Sequence, residues 1–317
     1  MKVSSKKRFQ RKTERQNRIV LGVIASILIF VLAGWFFFQS IRGGIKTAVE
    51  FPHIHGLGFS PEGNQLIVAA HDGIRVFENG KWTVPDVPPN DYMGYTATDN
   101  GFYSSGHPHP GSGLVNPLGL VKGSAGGRNL EQLAFEGESD FHLMGVGYFN
   151  HAIYVLNPTP NSKLVPGLHY SLDDGKTWNE SPMQGITAEP IQIAVHPTKA
   201  DTVVIASEMG LFFSSDYGNT FEKVGDLAPV TAAAFSPQGD KLFIGYQTLY
   251  TYILSSGQVE ILETPEISSQ DAIAFIGINP KNSDDFAFAT FERQIYLSKN
   301  GGKSWSQIAK TGKGIEG

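Results

Sequence analysis

One eight-residue pattern, present three times, limits what this 317-residue chain can fold into more than any other feature. Residues 171–178 place Ser171, Asp173, Gly175, Thr177 and Trp178 at fixed spacing. Residues 214–221 repeat the spacing with Ser214, Asp216, Gly218, Thr220 and Phe221. Residues 298–305 repeat it again with Ser298, Asn300, Gly302, Ser304 and Trp305. The starts lie 43 and 84 residues apart, so the unit recurs about every 42. A period near 40 in a chain with 36 glycines and 11% aromatic residues predicts a β-propeller, one blade per period. The pattern has turn chemistry: the carboxylate or amide caps backbone N–H groups and Gly takes a positive φ. The Trp or Phe then fills the gap between blades.

A second rhythm runs independently of these turns. Phe59, Ser60, Pro61 and Gly63 precede an apolar run at 65–70, and Phe235, Ser236, Pro237 and Gly239 precede another at 241–246. His196-Pro197 and Asn279-Pro280 open the equivalent turns before residues 202–207 and 286–290. Each is a β-hairpin signature of two short apolar strands around a Pro/Gly turn. The two rhythms together predict an all-β, six-bladed propeller over residues 51–312. Its blades start near His53, Asp91, Asp140, Glu189, Pro229 and Asp271. A seventh blade is the alternative if residues 42–51 add strands. Blades two and three carry Pro- and Gly-rich inserts at 108–117 and 158–166, and residues 313–317 read as a short tail.

The three boxes resemble the Asp-box (BNR) repeats of sialidases, sortilin-type receptors and photosystem assembly propellers. The likeness is closest to bacterial extracytoplasmic Asp-box proteins, many of them named glycosyl hydrolases. It implies a propeller in which the boxes are structural and face away from the ligand site. The fold alone does not imply an activity.

Charge and hydropathy divide the N-terminus from the rest. Residues 1–18 carry eight Lys/Arg against Glu14 alone, although the whole chain has a net charge of −5. Residues 19–38 are 20 consecutive uncharged residues, enough to cross a hydrocarbon core of about 30 Å as a helix. A signal peptide usually has a shorter apolar region, about 7–15 residues, and a small-residue cleavage site, which Trp35 and the three phenylalanines after it do not provide. The expectation is a single-pass signal anchor with a cytoplasmic basic tail, a linker at 39–50 and an extracytoplasmic propeller on a bacterial cell membrane. The basic run is read as a partner for anionic lipid, not nucleic acid. With no Cys there is no thiolate metal site, redox chemistry or disulfide.

Propeller topology sorts the nine histidines without coordinates. Inner strands begin on one face and second strands return to it, while the box turns lie opposite. His53, His55, His71, His107, His109 and His142 therefore share one face of blades one to three, joined by Asp91, Asp140 and Glu208. His151, His169 and His196 map elsewhere. The set suits a borderline divalent metal, with His55, His71, His107 and His142 as first choices for ligands. It equally suits acid–base work near neutral pH, or histidines that merely organise the channel mouth.

A sialidase needs three arginines on the sugar carboxylate. Beyond Arg42 the chain has only Arg75, Arg128 and Arg293, none assignable to a central pocket. A hydrolase of cell-wall or extracellular glycans, with Asp140 or Glu208 as acid/base, stays open, as does a protein-partner scaffold of sortilin type. Tyr92, Phe141 and Tyr148 are expected to line a pocket, and Trp82, Trp178 and Trp305 to act as plugs between blades. The leading expectation is a ligand-binding or assembly module that works through the His/Asp face.

Overall fold

A 42-residue unit of four short strands cannot bury both faces of its sheet alone, so neighbouring units must cover each other. The computed structural model describes residues 48–316, and these show how that requirement is met. Six antiparallel sheets, each in consecutive strand order, form the blades, and no helix occurs among the described residues. The innermost strands are Ile54–Phe59, Asp91–Thr98, Met144–Val146, Pro190–Val195, Ala232–Phe235 and Ile273–Ile278, as the repeat spacing predicts. The second strands are Leu66–Ala70, Gly101–His107, Ile153–Asn157, Val203–Ser207, Lys241–Gly245 and Phe286–Thr290. The expected anchor at 19–38 lies outside the described residues.

Strand alternation explains why these apolar runs are uninterrupted. Successive side chains point to opposite faces, and both faces of a blade are covered. In blade one, Leu66 and Val68 pack toward blade six with Trp82, Ile295 and Ile308. Their neighbours Ile67 and Ala69 pack toward blade two with Tyr92, Tyr95 and Phe102. Six such apolar clusters occur, one for each pair of adjacent blades.

The boxes form the expected outer turns. Ser171 Oγ accepts from Gly175 N at 2.9 Å. Asp173 Oδ1 accepts from Thr177 N at 2.9 Å, and Asp173 Oδ2 from Thr177 Oγ1 at 2.7 Å. Ser214, Asp216, Gly218 and Thr220 reproduce this network, and Ser298, Asn300, Gly302 and Ser304 do so with one bond reversed: Asn300 Nδ2 donates to Ser304 Oγ. The central Gly is left-handed in each box (φ 78°, 78° and 83°), and so is the residue before it: Asp174, Tyr217 and Gly301. Trp178, Phe221 and Trp305 contribute to three of the clusters between blades.

The ring closes through the two ends of the described chain. Phe51 N donates to Gly312 O, Gly314 N to Val49 O, and Glu50 bridges Lys313. Lys313–Gly314, expected as tail, is a fifth strand of blade six. Residues 49–51 thus complete that blade and do not start a seventh.

Candidate metal centre at the channel mouth

The inner strands surround an axial cavity of about 430 Å³, to which all six blades contribute. His55 and His142 both line it, with apolar side chains such as Leu57, Met144 and Ile193 along the walls. Of the six histidines expected on one face, these two reach the cavity. The fold also gathers four of the six with two aspartates into two trios.

The first trio joins blades one and two. His55 sits at a bulge in the first inner strand, where the register shifts between Ile54 and Gly56. His71 follows the second strand, and its backbone N donates to His53 O. Asp91 begins the next inner strand and is buried, with its side chain only 6% exposed. His55 Nε2 lies 3.3 Å from Asp91 Oδ1, and His71 Nδ1 lies 2.7 Å from Asp91 Oδ2. Neither approach has the alignment of a hydrogen bond. His55 Nε2 and both Asp91 oxygens are buried without any hydrogen-bond partner among the described residues. One ligand atom from each residue can be chosen so that all three lie within 4.8 Å of one another. Ligands about 2.1 Å from a tetrahedral ion stand roughly 3.4 Å apart, which these spacings approach.

Electrostatics favours the ligand form of His55. Burial pulls its pKa below the ordinary imidazole value. The Asp91 carboxylate opposes that shift, and His71, His53 and His142 reinforce it. A neutral imidazole keeps a lone pair free for a cation. His53 is exposed, its ring centroid 6.3 Å from those of both His55 and His71.

The second trio joins blades two and three. His107 Nε2 lies 3.2 Å from Asp140 Oδ2, and His142 Nε2 is hydrogen-bonded to the same oxygen at 2.6 Å. Asp140 Oδ1 is buried without a partner. His107 Nδ1 is 2.7 Å from Asn116 Oδ1. Asn116 escaped the sequence reading because it sits in the 108–117 insert, and nothing in its immediate neighbours signals a contact with His107.

The remaining candidates lie apart from the trios. His109 is exposed, its backbone N donating to the buried Asn90. Glu208 is exposed at the turn between Val203–Ser207 and Gly210–Ser214 and takes no part in either trio's contacts. Tyr92 and Phe141 are core residues and do not line the pocket: their rings fill the clusters between blades. Tyr148 does line the cavity. Arg75 is buried, held by Asp72 and by Glu50 O. His151, His169 and His196 are bonded to Asp99, Val165 O and Gly239 O respectively, which accounts for them structurally.

No protein-family model matches the chain, and neither does any curated protein. Solved structures do match. A GH74 enzyme from Niastella koreensis is 15% identical with a TM-score of 0.53, over 83% of this chain and 46% of that one. The GH74 xyloglucanase from Xanthomonas campestris is 14% identical with a TM-score of 0.51, over 83% and 46%. An extracellular domain from B. thetaiotaomicron, named for a hybrid two component system, is 12% identical with a TM-score of 0.50, over 84% and 34%. The chain spans less than half the length of each. At this identity the likeness shows the propeller fold.

Proposed function

We propose that the chain is a membrane-anchored, extracytoplasmic ligand-binding module of a bacterial cell surface, and that the ligand held at its channel mouth is a divalent transition metal ion. One observation carries this reading: Asp91 is a buried carboxylate whose two oxygens meet imidazole nitrogens and no aligned donor. A buried carboxylate without an aligned donor is costly, and a cation removes the cost. Two imidazoles with one carboxylate suit zinc, cobalt, nickel or copper better than magnesium or calcium. His55, His71 and Asp91 would hold the ion, leaving a coordination position toward solvent or the cavity.

The hydrolase reading has the fold likeness to GH74 enzymes on its side, and Asp140 near the cavity as acid/base. The environment of Asp140 is that of a ligand or ion-pair partner, between His107 and His142, and Glu208 has no place beside it. The test is metal analysis of the full chain in detergent, wild type against His71→Ala, after dialysis against Zn²⁺. Near-stoichiometric zinc in the wild type and its loss in the variant is expected. Equal, negligible zinc in both would remove the reading. Turnover of a xyloglucan or peptidoglycan panel that Asp140→Asn abolishes would favour the hydrolase instead.

A further inference from the structure

We propose that His107, Asp140 and His142 form a second divalent-cation centre, so that the channel mouth is a two-ion site. The proposal rests on the first centre and extends it. Its basis is a relation between blades. In the first trio, a histidine after the second strand of one blade meets an aspartate at the start of the next inner strand: His71 and Asp91. His107, the last residue of its strand, meets Asp140, four residues before the strand Met144–Val146, in the same manner one blade on. Each carboxylate then has a second histidine: His55 for Asp91, His142 for Asp140. Blade three ends its second strand on Asn157, so the series stops after two.

Hydrogen bonding around the second trio points the same way. Asn116 Oδ1 accepts from His107 Nδ1–H, which in the neutral ring leaves Nε2 as a lone pair. That lone pair stands 3.2 Å from a carboxylate oxygen without hydrogen-bond alignment. Two acceptors then face each other, an arrangement that a proton or a metal cation between them relieves. An amide oxygen on the far ring nitrogen is also how metal-binding histidines are commonly oriented. Asp140 Oδ1, buried and unpartnered, supplies further acceptor capacity. The ligand atoms of this trio are not all within 4.8 Å of one another as those of the first trio are. His142, with a side chain 64% exposed, therefore has to turn from Asp140 toward an ion, its ring proton passing through solvent from Nε2 to Nδ1 so that Nε2 can ligate.

The two centres are neighbours. Asp91 and His107 are direct cross-strand partners in blade two. Side chains at paired positions share a face, with Cβ atoms about 5 Å apart. His55 and His142, one from each centre, line the one cavity. Two adjacent ions would together hold a bridging oxygen donor, such as water or a carboxylate or phosphate oxygen.

The test is titration of Co²⁺ into the metal-stripped full chain, followed by visible absorption, for wild type, Asp91→Asn, Asp140→Asn and His142→Ala. His142 is exposed, so its variant isolates ligand loss from any folding defect, and circular dichroism checks all four. Two equivalents in the wild type and one in each variant is the expected result. A single equivalent, lost in Asp91→Asn but kept in Asp140→Asn and His142→Ala, would overturn the second centre while sparing the first. No binding by the wild type would overturn both.

Discussion

Replacing Asp91 by Asn should have opposite effects on stability with and without metal. The metal-free fold holds the Asp91 side chain, 6% exposed, with no aligned donor on either oxygen. A buried polar group left in that state costs about 1–3 kcal/mol, and more when charged. Asn has no charge, and its amide N–H can donate to His55 Nε2 or His71 Nδ1. The variant should therefore be more stable than wild type in chelator by about 1–3 kcal/mol. For a domain of this size that is about 2–4 °C in Tm per kcal/mol. With free Co²⁺ at 100 times its Kd, the wild type gains about 2.7 kcal/mol by mass action, and the variant should gain little. The order of the two melting temperatures then levels or inverts. Thermal melts by circular dichroism, with chelator and with Co²⁺, measure both. If Asp91→Asn melts lower than wild type by the same amount in both conditions, the carboxylate is an ordinary structural partner and the reasoning fails.

Three further outcomes follow from the fold. Gly175→Ala should cost about 1–2 kcal/mol in urea unfolding, because φ is 78° there and the new Cβ would meet Leu120 Cδ2 at 2.8 Å; an unchanged midpoint would contradict the turn geometry. Asp173→Asn should be nearly neutral at pH 7, since Asn300 in the third box accepts from Ser304 N and donates its amide to Ser304 Oγ, whereas Asp173→Ala should destabilise. The Thr177 backbone and side-chain bonds, with that from Ser171, hold the Asp173 carboxyl down at about 2, so its contribution is present above the ordinary carboxylate value near 4 and is lost as pH falls toward 2. Asp173→Asn should therefore flatten that part of the acid melting profile, and an unaltered profile would count against it. His55 and His196 are both held below the ordinary imidazole value, burial being the main cause. The unfolded chain then binds more protons, so metal-free stability should rise with pH through about 6.5 and fall on acidification below it; a flat melting profile from pH 5 to about 8 would refute this.

Much of this structure could be read from the chain, for physical reasons. The box fixes a turn by its own local bonds, so Ser171, Asp173 and Gly175 announce it wherever they recur. Blade starts followed from the period, and the shared face of His55, His71, His107 and His142 followed from strand direction. What spacing could not show was how those histidines divide. That depends on Asp91 and Asp140 each standing at a junction between blades: Asp91 meets two histidines of the blade before it, Asp140 one from the blade before it and one from its own. Nor could it show Asn116, whose role arises only when the 108–117 insert folds back over His107. Tyr92 and Phe141 lie between the sheets, because a residue near a strand start can turn toward the axis or between two sheets. Aromatic bulk favours the drier space between sheets.

The meeting of residues 49–51 with 312–314 has a topological consequence. Every blade has a neighbour on both sides, so the packing does not dictate in which blade the break in the covalent ring must fall. Ends this close tolerate rejoining. Linking them through a few glycines and reopening the loop at 158–166 would give a permuted polypeptide in which each sheet keeps the same two neighbours. The order of translation would change; the map of contacts would not.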